Sequence, residues 1–373
     1  MKITGAILKA SGLPRPYRDS RPIEVVELDL DDPEDGEVLV RIEVAGICHS
    51  DLSVVDGSRI RSVPLLLGHE AAGRIEKLGA QVEDLAVGQR VVMTFLPRCG
   101  DCDGCRSEGR LPCRRGSEAN GAGTLLRGGT RLHRAGMPIG HHLGVSAFAT
   151  HAVVDRSSVV AVDDDVPPTV AALLGCAVLT GGGALLNEGR PADGDAVVVV
   201  GLGGVGMSAL IAAVGIAGLG PGHGPVIGVD AQPDKLQRAL SLGAARVFSP
   251  EEAVAAKVKA PIVIEAAGSA RALETAIDLT APGGRTVTVG LPAPDAEARF
   301  SPLALVAEAR SIVGSYLGSA VPQREIATFI RLWRAGRLPV EELISHHIRL
   351  EDINQAMEDL ADGTAMRQII EFS

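Results

Sequence analysis

The sequence predicts an α/β protein in which a doubly wound parallel sheet is joined to a second, β-rich domain. Three observations carry this expectation. The chain has 373 residues, too many for one ordinary core, so two domains are expected. From residue 195 onward, short and continuously apolar runs alternate with amphipathic helical segments, the mark of parallel strands covered on both faces. Before residue 100 the runs are partly alternating and punctuated by glycine, as in less regular β structure.

Composition narrows the classes of function. With 46% hydrophobic and 22% charged residues the chain is globular rather than disordered or fibrous. A net charge of −10 argues against a general affinity for nucleic acid or an anionic membrane. Aromatic residues at 2% do not furnish stacking platforms for single strands. The first residues, MKITGAILKASG, hold an apolar run cut by Lys9 and no cleavage pattern; no signal peptide is read there, and a cytoplasmic protein is expected. The stretch 196–229 carries no Asp, Glu, Lys or Arg, long enough on paper for a membrane span. Its glycines, with Pro221 and His223, divide it into strand, turn, helix and strand instead.

Taken in order, VLVRIEVAGI (38–47), AAGRIEKLGA (71–80) and VGQRVVM (87–93) are strands of the β-rich region. The polar, glycine-rich segment 96–145 reads as a long loop, and such loops are usually functional or pinned. Parallel strands are expected at 196–200, 225–229, 246–248, 261–265, 285–290 and 311–317, with helices such as 234–243 and 270–280 between them. Two further helical runs follow at 324–336 and 350–363.

Gly201-Leu202-Gly203-Gly204-Val205-Gly206 follows a strand and opens a helix. The first glycine permits the tight turn, the second lets backbone approach a pyrophosphate, and the last lets helix pack on strand. The helix N-terminus then offers unpaired N–H groups to phosphate. Asp230 closes the next strand, 24 residues past Gly206. A carboxylate there accepts from a ribose 2′-OH and repels a 2′-phosphate, so NAD is favoured over NADP. Lys235 is within reach of the same ribose or is simply solvated on its helix.

Cysteine spacing indicates metal. Cys99, Cys102, Cys105 and Cys113 place four sulfurs within 15 residues, a saturated tetrahedral shell for structural zinc. An iron–sulfur run would continue with x3-Cys-Pro; here the last gap is seven and Arg114 follows. Cys48, His69 and Cys176 stand far apart and are each bland alone. Together they match the two-thiolate, one-imidazole shell of a catalytic zinc with one position open, a match to a known shell and not a derivation from spacing.

In these motifs, CHSD (48–51), GHE (68–70), the four-cysteine loop, LGCAVLTG (174–181) and GLGGVG (201–206), the whole chain resembles a zinc-dependent medium-chain alcohol dehydrogenase of the long, dimeric, liver-type branch. The resemblance implies a GroES-like β-barrel catalytic domain over 1–177 and 318–373. It implies a Rossmann NAD-binding domain over 178–317, an active site in the cleft between them, two zinc ions per chain and a homodimer. By resemblance Ser50 accepts the alcohol proton, Asp51 holds His69, and Glu70 lies near the zinc. His49 and Arg367 contact the pyrophosphate, and Thr180 sits near the nicotinamide. Phe95, His142, Leu143, Leu291 and Tyr316 match positions lining the substrate channel. The chain departs from the family in two places. Ser53 stands where many relatives carry the relay histidine, so the proton leaves through Ser53, water or His49. The acidic pair of the thiol-adduct formaldehyde dehydrogenases falls on Arg59 and Arg61, which argues against a glutathione adduct. The implied reaction is reversible hydride transfer between a primary or secondary alcohol, which becomes an aldehyde or ketone, and NAD. Polyol or thiol-adduct oxidation and a non-catalytic nucleotide-binding relative are the alternatives.

Overall fold

The computed structural model describes residues 1–217 and 224–372; the glycine-rich residues 218–223, expected to lengthen the first βα unit, lie outside the described residues. The chain forms two units, Met1–Cys176 with Ile344–Ser373, and Ala177–Leu343.

In the first unit, strands Lys2–Leu8, Ile23–Leu30, Leu132–Arg134, Met137–His141 and Leu65–Leu66 close into a barrel. Its interior is filled by Ile7, Leu28, Leu30, Leu66 and Ile139, all buried. A second sheet is organised around Glu37–Ile47, which pairs antiparallel with Glu70–Leu78, with His151–Asp155 and with Gln368–Glu371. Being covered on several sides, this strand is almost continuously buried, which is why its sequence is more apolar than strict alternation requires. Its register positions the chemistry. Gly46 faces Glu70 and Ile47 faces Gln368, so Cys48, His69 and Arg367, each one residue outside a paired strand, emerge at the same end.

The second unit is a six-stranded parallel sheet in the order Arg246–Phe248, Val226–Val229, Val197–Val200, Ala260–Glu265, Thr280–Thr288, Ser311–Gly314. Numbered along the chain this is 3-2-1-4-5-6, with the topological switch beside the first strand, Val197–Val200. Val198, Val200, Val229 and Val263 form its core with Ala276 and Leu279 of helix Ala270–Leu279. The charge-free stretch resolves into strand Val197–Val200, helix Gly204–Ala217 and strand Val226–Val229. Among the described residues no single helix is long and apolar enough to cross a membrane.

Two expectations are corrected. Residues 318–343, assigned to the catalytic domain, belong to the parallel-sheet unit, so the boundary falls at 343/344 and not at 317/318. The reason is packing: buried Phe329 of helix Pro322–Arg334 sits over Gly182 of helix Ala177–Gly183, where a Cβ would lie 2.7 Å from the phenyl ring. The segment 96–145 is not one loop; it contains helices Asp103–Arg106 and Arg114–Ala122 and the hairpin Leu132–Arg134/Met137–His141. Truncating Phe329 to Ala leaves a cavity that Gly182 has no side chain to fill. We expect a loss of about 3–5 kcal/mol, measured as a lowered denaturant midpoint for the transition of this unit.

Candidate active site

Cys48 follows strand Glu37–Ile47 and caps helix His49–Val55; Asp51, on its first turn, reaches back to accept from Cys48 N at 3.1 Å. His69 precedes strand Glu70–Leu78, after a turn at Gly68 with φ +94°. Any side chain at Gly68 would strike Phe148 N at 2.5 Å, so the glycine of the GHE motif is a steric necessity. Cys176 follows helix Pro168–Leu174 through Gly175, whose Cβ would lie 2.1 Å from Met93 O.

These turns bring the donors together. One ligand atom each of Cys48, His69, Glu70 and Cys176 lies within 4.8 Å of the others, and all four residues are buried. Cys176 Sγ is 3.4 Å from His69 Nε2. His69 Nδ1 is 3.0 Å from Asp51 Oδ1, an arrangement that holds the proton on Nδ1 and leaves the Nε2 lone pair open to a metal. Glu70 pairs with the buried Arg367, Nη1 to Oε2 at 3.2 Å, and Arg367 also donates to Ile47 O at 3.0 Å.

The titration pattern describes a pocket crowded with negative charge. The hydrogen-bonded Cys176 thiol, aided by Arg367 and His69 against the cost of burial, holds Cys48 well below an ordinary thiol. Its neighbour Cys176 is driven well above by that contact and by burial. Burial raises Glu70 to about 7 even with the Arg367 cation opposing it. Burial also works against the Asp51 carboxylate, but His69 and His142 outweigh it and hold Asp51 down to about 2. Two soft sulfurs and an imidazole of fixed tautomer, dry and close, suit zinc.

Cys99, Cys102, Cys105 and Cys113 likewise converge within 4.8 Å, all four as free thiols. Their sulfurs are 3.6–3.8 Å apart where they touch, close to the spacing of about 3.8 Å that tetrahedral Zn–S bonds impose. Backbone N–H groups of Cys99, Gly100 and Gly116 point at these sulfurs at 3.3 Å, the usual compensation for thiolate charge.

In the second unit the glycine turn has the shape its sequence requires. Gly201 has φ +89°, and a Cβ there would lie 2.5 Å from Ala267 N. A Cβ on Gly206 would meet Gly201 O at 1.7 Å, whereas Gly203 faces open space. Such a turn at the start of helix Gly204–Ala217 has room and N–H groups that suit a pyrophosphate. Val205, half-buried on its first turn, continues it. Asp230 ties the turn together, accepting from Leu202 N at 2.7 Å and Gln232 N at 2.9 Å. A carboxylate has about four lone-pair sites, so capacity is left for a ribose hydroxyl.

Comparison with known proteins agrees with this geometry. The family model of the alcohol dehydrogenase GroES-like domain matches residues 34–164, and that of the zinc-binding dehydrogenases matches 204–334. A putative alcohol dehydrogenase D of Mycobacterium tuberculosis is 35% identical, over 99% of this chain and 100% of its own. The chain belongs to the zinc-dependent medium-chain alcohol dehydrogenases. An NDMA-dependent alcohol dehydrogenase of Amycolatopsis methanolica is 34% identical over the full length of both chains. The crystal structure of benzyl alcohol dehydrogenase from Acinetobacter calcoaceticus superposes with a TM-score of 0.90 at 30% identity, covering both chains completely. As a member of this family the protein is an oxidoreductase that takes zinc and a nicotinamide cofactor.

The other residues expected in this dehydrogenase's site fall as follows. Ser50 is half-buried and His49 exposed at the start of helix His49–Val55; Ser53 Oγ donates to His49 O at 2.7 Å. Arg367, expected at the pyrophosphate, is buried against Glu70 and Ile47 O. Phe95 lies edge-on to the His69 ring, centroids 5.5 Å apart. Leu143 is half-buried with φ +53°, and Arg59 and Arg61 are half-buried. In the second unit Thr180 is buried, Lys235 half-buried, and Leu291 and Tyr316 are exposed. The approach of His142 Nε2 to Asp51 Oδ1, 3.3 Å, was not legible: nothing in the spacing links residues 91 positions apart.

His141, next to it, accepts from Arg131 N through Nε2 at 3.2 Å, and burial, aided by the Arg131 cation, pushes it down to about 3. The unfolded chain protonates this imidazole near pH 6.5, the folded protein only near 3. Its effect on stability is therefore absent above about pH 6.5, and stability falls as the pH drops from there towards 3. His141→Gln, which keeps an acceptor for Arg131 N, should flatten that fall by up to about 1.4 kcal/mol per pH unit, measured by urea unfolding between pH 7 and 5. Parallel profiles would refute it.

Proposed function

We propose that the protein catalyses reversible hydride transfer between a primary or secondary alcohol and NAD, with one catalytic and one structural zinc per chain. The observation that carries this reading is the buried meeting of Cys48, His69 and Cys176, with Asp51 fixing the imidazole tautomer. Zinc held by those three residues supplies a Lewis acid that brings the pKa of a coordinated hydroxyl towards neutrality.

The chain's own groups do the remaining work. Cys48 and Cys176 present thiolates, and Asp51 keeps His69 Nε2 free to bind. Arg367 holds the Glu70 carboxylate beside the ligands and prevents it from standing alone in a dry pocket. Ser50, two residues past Cys48, takes the alcohol proton. Ser53, whose hydroxyl is turned onto His49 O, is no base, so the proton continues to His49 or to water. Gly203 and the helix start bind the pyrophosphate, and Asp230 selects the unphosphorylated ribose, with Lys235 nearby on the next helix.

Arg59 and Arg61, in place of an acidic pair, support a neutral or acidic alcohol over a glutathione adduct. The relative named for benzyl alcohol supports an apolar one, against a pocket that takes in Phe95 and Leu143. A homodimer is supported by the edge strand Ser311–Gly314 and the exposed Leu303 and Val306 on helix Pro302–Ala307.

Two measurements test the reading. Cys48→Ser should cut turnover at least about 10³-fold, because the metal no longer finds its shell. Zinc should fall from two ions to one per chain while the circular dichroism spectrum is retained; undiminished turnover overturns the assignment. Asp230→Ser should shift the ratio of kcat/KM for NADP over NAD upwards by about tenfold, some 1.4 kcal/mol, and an unchanged ratio removes Asp230 from cofactor selection.

A further inference from the structure

We propose that His142 is a positioning residue of the catalytic metal centre, acting through Asp51 on His69, and not a wall of the substrate channel. The proposal rests on the reading of Cys48, His69 and Cys176 as zinc ligands.

The Asp51 carboxylate is fully buried, accepts three hydrogen bonds and has a further polar group against it. Oδ2 accepts from Cys48 N at 3.1 Å. Oδ1 faces Gly68 N at 3.3 Å, His69 Nδ1 at 3.0 Å and His142 Nε2 at 3.3 Å. Gly68 N and His69 Nδ1 take the two lone pairs of Oδ1, and His142 Nε2 lies against the same oxygen as a polar contact outside hydrogen-bond alignment. Cys48 and the Gly68–His69 turn carry two of the three ligands, and the His142 ring packs beside the carboxylate that joins them. Without it, the buried anion loses a neighbouring N–H dipole and the ring packed against it, and the surrounding segments relax into the gap.

The placement of His142 is constructed, not incidental. Its N–H donates to Ser146 Oγ at 2.9 Å, and Ser146 Oγ donates to Leu66 O at 3.0 Å. Ala147 N donates to Gly68 O and Phe148 N to Leu67 O, each at 3.0 Å. Residues 142–148 are thus fastened along 66–68, immediately before His69. Leu143 and Ser146 accept left-handed backbone, φ +53° and +55°, to make the turn; side-chain-bearing residues stay there only when their surroundings hold them. The ring itself is 2% exposed, little for a residue meant to contact substrate. It meets His69 edge to face at a centroid distance of 5.6 Å, while Phe95 meets the same imidazole at 5.5 Å. His69 is therefore bounded by two rings and one carboxylate, and two of those three constraints depend on His142.

The test is release of zinc from the holoenzyme to a chromophoric chelator, without turnover. Two kinetic classes of zinc are expected, and the four-cysteine loop serves as the internal reference. His142→Phe keeps the ring and removes the N–H; it should speed release of the catalytic zinc about tenfold, in the range found when a ligand's hydrogen-bond partner is removed. His142→Asn, whose shorter amide does not reach Asp51, should act in the same direction and decides the matter if the Phe variant does not fold. His142→Gln should restore near-wild-type release. In the cobalt-substituted enzyme the Phe variant should shift the visible ligand-field bands. Release and spectrum equal to wild type, with only KM for bulky alcohols altered, would make His142 a channel wall and overturn the proposal. If the wild type itself holds no zinc outside the four-cysteine loop, the ligand assignment fails, whatever the variants do.

Discussion

Concentrated negative charge in a dry space is the constraint around which the first unit is built. Two sulfurs, two carboxylates and an imidazole converge where water does not compensate them. Each is nevertheless provided for. Arg367 answers Glu70, backbone N–H groups and the His69 ring answer Asp51, and the sulfurs are left for a cation. Without a cation the two thiols divide a proton unequally, one held far below and the other far above the ordinary range. The pocket has the donor set of a metal site before any metal is considered.

That convergence is a matter of strand register. The antiparallel partners of Glu37–Ile47 end in step, so Cys48, His69 and Arg367 leave the sheet at one end, and Gly175 lets the chain bearing Cys176 pass close over Met93. A slip of one residue in any pairing would turn a ligand to the other face. The long central strand and its nearly unbroken burial keep the pairings from slipping.

Much of this was legible in the sequence, for reasons that can be named. Cys99 to Cys113 are close in the chain, so their spacing alone constrains their geometry. The glycine turn is equally local: Gly201 and Gly206 have no room for a Cβ, while Gly203 faces open space. Strands such as Val197–Val200 announce themselves because both their faces are covered. What the sequence concealed were pairings across distance. The amphipathic helix Pro322–Arg334 shows an apolar face without saying that Gly182 is its seat, so its unit was misassigned. The segment 96–145 hides short helices because Cys113 rather than a Ser or Asp caps the longer one. His142 looked like a pocket residue because only the folded chain brings it to Asp51.

The first unit is interrupted in the chain by the whole of the second. Arg367 and the strand Gln368–Glu371 complete its sheet and its charge balance, yet a ribosome makes them after every residue of the parallel-sheet unit. Glu70 therefore waits for its cation through the synthesis of nearly three hundred residues. The nucleotide-binding half has all its residues before the metal pocket has its last partner, Arg367. The unit that opens the chain is thus the second to be complete.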